Sequence, residues 1–243
     1  MTKIWVIVCC ALAASVATFA ASAEQQAYAL VNGRVFTGVD EKILDNVTVL
    51  VVDGKIERIA DADDAVPNHY TVVDLEQYYL MPGMMDAHTH LQTLAQATRA
   101  LASGVTTVRT ASVPAFQDVG MRELVRNGRL AGPDVVAAGV YVTPDLTDTV
   151  LADPRLSAVE GQVDTDEELQ LLVDVNADRG VDVIKTRATE RAGLPDTDPR
   201  QQVYSERQLR LIVEAAARRD LAVMAHAHGD EGARAAVLAG VRS

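Results

Sequence analysis

Cysteine is nearly missing from this 243-residue chain, and the two it has, Cys9 and Cys10, fall within the first ten residues. Downstream of them, neither a disulfide framework nor a thiol nucleophile is available. Positive charge is also short. Twenty-two Lys and Arg face 34 Asp and Glu, for a net charge of -12. No basic stripe exists to neutralise phosphates, which excludes nucleic acid as a partner. Lysine is scarcer still, four against eighteen arginines, and there are only five histidines. Gly and Pro are at ordinary levels, so the chain is globular, and 49% hydrophobic residues suffice for a substantial core in one or two domains.

Only one long apolar run occurs. Met1-Thr2-Lys3 opens it, Ile4 to Ala20 is almost uncharged, and Ala21-Ser22-Ala23 supplies a small-residue cleavage site before Glu24. The run is close to the lower length limit for a membrane span. Its small-residue exit and single lysine instead predict a cleavable signal peptide, 1–23, and a secreted or periplasmic protein with no stable membrane anchor. Cys9 and Cys10 lie too early in the leader for a lipoprotein anchor and depart with it. Without Lys3 the mature chain carries 21 basic against 34 acidic residues, or -13.

Residues 24–81 are expected to form a small β-domain. Ala29-Leu30-Val31 leads to an Asn32-Gly33 turn and then to Arg34-Val35-Phe36. Val47 to Val52 and Lys55 to Ile59 flank Asp53-Gly54, a strong hairpin signal because a type I′ turn needs positive φ at both central residues. Thr71 to Leu75 is a further strand, and His69 is an ordinary exposed histidine at its edge. From Met84 the pattern becomes strand, helix, strand. Met84–Ala87 reads as a short buried strand, and helices follow over 91–102 and 116–129. Strands are expected at 105–108, 134–139, 181–185 and 221–226. Thr165–Glu168 and Ser205–Gln208 are capping boxes that open two more helices. Residues 143–163 and 187–202 read as loops, and Val241-Arg242-Ser243 as the start of a sixth strand.

Repeated βα units imply a parallel sheet with right-handed crossovers, either doubly wound or closed into a (β/α)8 barrel. The placement of reactive residues favours the barrel. His88, Lys185 and His226 each end a different strand, and in a barrel those ends converge on one mouth. His88 and His90 sit at i and i+2, so in a strand both imidazoles point to one face, as a divalent metal requires. A bare His-x-His pair is most often two surface histidines. Here four of five histidines fall in two such pairs, the second being His226 and His228. Lys185 is the only lysine that ends an apolar strand of the barrel. Burial lowers a lysine's pKa, so its neutral amine can form a Schiff base or a carbamate, or it can simply pair with Asp182 or Glu190. Asp86 either orients an imidazole or caps the strand exit.

Pro82-Gly83-Met84-Met85-Asp86-Ala87-His88-Thr89-His90 resembles the first-strand signature of the amidohydrolase superfamily. Val52-Asp53-Gly54-Lys55-Ile56 resembles its β-sandwich hairpin. Gly104-Val105-Thr106-Thr107-Val108-Arg109, Asp182-Val183-Ile184-Lys185, Ala225-His226-Ala227-His228-Gly229 and Ala239-Gly240-Val241-Arg242-Ser243 resemble the imidazolonepropionase-like and metal-dependent dipeptidase-like branch. The resemblance implies a TIM-type barrel beside a small N-terminal β-sandwich, over 82–243 and 24–81. It also implies hydrolysis of amide or peptide C–N bonds, with dipeptides or N-acyl amino acids as substrates. By position, His88 and His90 would bind one metal and His226 a second, with carbamylated Lys185 bridging two zinc ions. A metal-activated hydroxide would then attack the carbonyl. His228, Asp86 and Arg109 would contact substrate or support the ligands. The family's later histidine and aspartate ligands have no counterpart, and Thr110 stands where the branch often has aspartate. The expectation is therefore an N-terminal part of a longer enzyme, its barrel stopping after about five βα units. The alternatives are a truncated metal- or partner-binding chain without turnover, and a Schiff-base aldolase that would leave four histidines unused.

Overall fold

The computed structural model describes residues 26–159, 162–193 and 195–243. The signal peptide expected over 1–23, with Cys9 and Cys10, lies outside the described residues. The chain divides into two compact units, one ending at Pro82 and one running from Gly83 to Ser243.

In the first unit, β1 (Ala27–Phe36), β2 (Ile43–Val52), β3 (Lys55–Asp61), β4 (Thr71–Asp74) and β5 (Tyr79–Leu80) form one sheet. The order is β3-β2-β1-β4, with β5 also paired to β1. Asp53 and Gly54 have φ of 49° and 75°, as the two-residue hairpin demands. The Asn32-Gly33 turn does not form. β2 pairs with β1 on both sides of this point, so the chain absorbs Asn32 (φ 57°) as a bulge with a register slip between Leu30 and Gly33. Gly33 is needed there, since a Cβ would lie 2.5 Å from Leu75 Cδ1. Ala27, Ala29, Leu50 and Tyr70 make the buried cluster on this sheet. A second facing sheet, which a sandwich would require, is not formed by the described residues.

The second unit alternates strand and helix: β6 (Met84–Thr89), α1 (Leu94–Ala102), β7 (Val105–Thr110), α2 (Gln117–Arg126) and β8 (Asp134–Val136) come first. They are followed by α3 (Asp166–Asp178), β9 (Val183–Arg187), α4 (Glu206–Ala217), β10 (Ala222–His226) and α5 (Asp230–Ala239). All its strand pairs are parallel. β6-β7-β8 is one ladder and β9-β10 another. Backbone bonds join them, from Asp182 N to the Ala137 carbonyl (2.7 Å) and from Val142 N to the Lys185 carbonyl (2.9 Å). Beyond β10, Arg242 N donates to the Val223 carbonyl and Ala225 N to the Ser243 carbonyl, each at 2.8 Å.

Helix entry follows the sequence chemistry. Thr165 with Glu168 and Ser205 with Gln208 form reciprocal capping boxes, and Thr93 with Gln96 forms a third, which starts α1 at Leu94. Leu169, Leu172 and Val173 of α3 and Leu209, Ile212 and Ala216 of α4 are buried at helical spacing, in one core with Ile184 and Val223 of the strands.

Three expectations are corrected. β6 is not buried: Met84 and Met85 are 50% and 77% exposed. β6 pairs only with β7, and no described residue pairs with its other edge. The strand expected at 181–185 runs over Val183–Arg187, because Asp182 and Val183 bond back to Ala137 and pull pairing two residues later. The 143–163 loop contains two short 3-10 segments, Thr147–Ala152 and Pro154–Ala158.

Candidate metal centre

The C-terminal ends of the strands surround an open cleft of about 820 Å³ whose walls include His88, His90, Tyr141, Arg187, His226 and His228. Lys185 lies below it, fully buried on β9, every residue of which is buried.

His90 is the most firmly oriented of the histidines. Its Nδ1 donates to the Ser112 carbonyl at 2.7 Å, which leaves Nε2 free. That arrangement is how a metal-binding imidazole is commonly held. The rings of His88 and His90 are 5.7 Å apart at 73°. This separation suits two rings facing one ion ligated at about 2.0–2.1 Å. His88 keeps an exposed edge, yet burial lowers its pKa, followed by the nearby Lys185, His90 and Arg109 charges. The neutral imidazole, the form that ligates, is thereby favoured.

His226 ends β10, half-buried. Its Nε2 lies 3.1 Å from the Glu190 carbonyl, leaving Nδ1 as the free nitrogen. Burial is again the main cause of its lowered pKa, with His228 and Lys185 adding to it and the Glu190 contact opposing. The His228 ring packs edge-on against His226 at 4.3 Å and 89°. The two rings meet edge to face. His228 is exposed, and its backbone amide is held by Thr189 Oγ1 at 2.9 Å.

Lys185 Nζ has no hydrogen-bond partner among the described residues. Burial pushes its amine down to about 8, with the Arg109 guanidinium second. Neither Asp182 nor Glu190 pairs with it: Asp182 bonds Arg122 (2.7 Å) and Glu190 bonds Arg187 (3.3 Å). Arg109 donates to the Ala87 carbonyl (2.9 Å) and to Ser243 Oγ (3.0 Å), tying the strand that carries His88 to Ser243. Asp86 takes the strand-exit role, accepting from the His88 amide at 3.0 Å. Its carboxylate makes no bond to an imidazole.

The structure thus brings His88, His90, Lys185, His226 and Arg109 into one electrostatic neighbourhood. Among the described residues, however, no group of three His, Cys, Asp or Glu is arranged to hold a metal. Sequence reading missed Arg187 and Tyr141. Arg187 donates to Thr143 Oγ1 at 2.8 Å and to Glu190. It sits two residues past Lys185, so the i, i+2 rule applied to β9 would have found it. Tyr141 carries no comparable signal. Burial raises its pKa, against the opposing charges of Arg191 and Arg187.

Residues 79–243 match the Amidohydrolase family and residues 27–77 the NagA composite domain. The chain belongs to the amidohydrolase superfamily. Ochratoxinase of Aspergillus niger is 26% identical over 239 residues, covering 80% of this chain and 49% of that protein. A Bifidobacterium longum structure provisionally assigned as a prolidase is 32% identical, with TM-score 0.73 over 89% of this chain and 53% of its own. A prolidase in complex with N-methylphosphonate-L-proline is 25% identical, with TM-score 0.75 over 89% and 60%. The chain spans about half the length of the curated relative it matches. These likenesses identify the α/β architecture as TIM-barrel-type with an N-terminal domain.

Proposed function

We propose that this chain carries the metal-binding part of a hydrolase acting on amide C–N bonds in small substrates with a free carboxylate, dipeptides or N-acyl amino acids. The observation that carries this reading is Lys185 Nζ, fully buried, without a partner among the described residues, and within electrostatic reach of His88 and His226. A buried orphan amine is costly and rare. It fits this site as a latent carbamate. The neutral amine attacks the carbon of carbon dioxide, an N–C bond forms as one C=O π pair moves onto oxygen, and Nζ passes a proton to water. Two oxygens then stand where one unsatisfied nitrogen stood, and oxygen with imidazole is a suitable donor set for zinc. His88 and His90 would hold one divalent ion, His226 a second, and the Lys185 carbamate both. When bound, such ions polarise a carbonyl and acidify water.

The residues around this set have their own work. The Ser112 carbonyl keeps His90 in the Nδ1–H form, and Arg109 braces the backbone at Ala87 beside His88. Across the cleft, Arg187 is engaged by Thr143 and Glu190, whereas the Arg191 guanidinium has no partner among the described residues. Arg191 suits a substrate carboxylate. Ochratoxinase and prolidase relatives support the amide and dipeptide reading. The apolar leader supports export, which would bring the protein to peptides outside the cytoplasm.

The test is metal analysis with activity. The protein should retain divalent metal through dialysis, hydrolyse an N-acyl amino acid or dipeptide, and lose that activity to a chelator. His88→Ala and Lys185→Ala should each lower metal content. Full hydrolysis in verified metal-free protein would reject the reading.

A further inference from the structure

Asp118 is fully buried on the first turn of α2 and belongs to none of the groups above. Its Oδ2 accepts from Thr110 Oγ1 (2.5 Å), the Ala138 amide (2.8 Å) and the Gly139 amide (2.9 Å). Its Oδ1 accepts from the Val119 amide at 2.9 Å. Donors meet both oxygens, so the group must accept at each, which a carboxylate does and a carboxamide, whose nitrogen only donates, does not.

What Asp118 holds leads to His90. The Gly139 carbonyl accepts from Ser112 Oγ (2.8 Å) and from the Val113 amide (2.9 Å). The Ser112 carbonyl, on the same residue, accepts from His90 Nδ1. The path is therefore Asp118, Gly139, Ser112, His90, with a hydrogen bond at every junction between residues. The segment it holds is unusual. Ser112, Ala115 and Phe116 have φ of 84°, 52° and 56°, three non-glycine residues in the left-handed region within five positions. Such a backbone persists only where its surroundings over-determine it. Gly139 is itself fixed, with φ 65° and room for no Cβ, which would meet Asn176 Oδ1 at 2.5 Å and Val181 Cγ1 at 2.6 Å.

We infer that Asp118 is a positioning residue that, through Gly139 and the strained Ser112, sets the tautomer and ring orientation of His90. The use of this device rests on the proposed function, in which His90 Nε2 faces an ion. The device itself does not. Loss of an outer partner of this kind typically lowers metal affinity about 10–100-fold.

The experiment uses the full chain as wild type, Asp118→Asn, Ser112→Ala and Leu209→Ala. Ser112→Ala keeps the backbone carbonyl but removes the hydroxyl link, a milder cut should Asp118→Asn fold poorly. Leu209→Ala, a core residue of α4 with no hydrogen-bonding side chain in the path, is a destabilised control. Imidazole ¹⁵N spectra of metal-free protein report the His90 tautomer, and chelator competition reports zinc affinity. Wild type and Leu209→Ala should show one Nδ1–H form. Asp118→Asn and Ser112→Ala should populate the Nε2–H form and bind zinc at least tenfold more weakly. An unchanged His90 tautomer in both variants overturns the inference, whatever their zinc affinity. A wild type that binds no zinc would instead undo the proposed function, with the tautomer still deciding this point.

Discussion

Lys185 and Arg109 face the same interior, and only Arg109 is satisfied: its guanidinium holds the Ala87 carbonyl and Ser243 Oγ, while Lys185 Nζ has no partner among the described residues. A buried polar atom without a partner costs about 1–3 kcal/mol. Lys185→Met keeps length and volume and removes the orphan. In metal-free protein it should therefore leave the melting temperature unchanged or raise it, while abolishing zinc retention. A clear drop in melting temperature together with full zinc content would contradict the role given to Lys185.

Arg191 should separate binding from turnover. Arg191→Met is expected to raise KM at least tenfold for a substrate with a free carboxylate, the loss of about 1.4 kcal/mol. The same substrate as its carboxamide should be affected far less. Equal effects on both would move the carboxylate contact elsewhere in the cleft.

Asp153 gives the fold an acid limit. It is buried and accepts from Arg155 at 2.9 Å and Arg179 at 2.8 Å. The Arg155 side chain, then its amide, then Arg179 hold this carboxyl well below the usual carboxylate range, against an opposing effect of burial. The unfolded chain has a pKa of about 3.9 and so binds the proton first as pH falls. Stability from this group is complete above that value and is lost as pH drops below it towards the folded value. Asp153→Asn should lower the melting temperature by a few degrees near neutral pH and flatten its fall below about pH 4. Parallel pH profiles for the two proteins would show that the ion pairs contribute nothing.

Gly229 is a matter of space. Its φ is -102°, which any residue adopts, so turn geometry does not explain the glycine. A Cβ would instead stand 2.3 Å from the Arg200 carbonyl oxygen and 2.8 Å from its Cα. Gly229→Ala should cost about 1–3 kcal/mol, the usual cost of overpacking. Wild-type stability by denaturant titration would show that the 188–204 segment can simply move aside.

Where local pattern decided the outcome, the sequence was readable. The i, i+2 rule placed His88 with His90, a β-branched run located β7, and Thr165 and Ser205 marked their helices. Where tertiary pairing decided, it was not. Asn32-Gly33 is a turn by composition and a bulge in fact, because β2 pairs across it. Met84 and Met85 look like buried-strand residues, and their exposure follows from β6 having one paired edge. Gly139 lies 21 residues from Asp118 and 27 from Ser112, and Ser112 lies 22 from His90, so no spacing rule could have linked them.

The capping boxes at Thr165 and Ser205 mark where variation can begin and end. Each terminates a long segment that lines the cleft, 143–164 and 188–204, by closing the next helix on its own side chains. Those helices then start at the same residue however the preceding segment is built. A lineage can lengthen, shorten or recompose these two segments, changing which molecules the cleft admits, and the helices behind them need not be renegotiated.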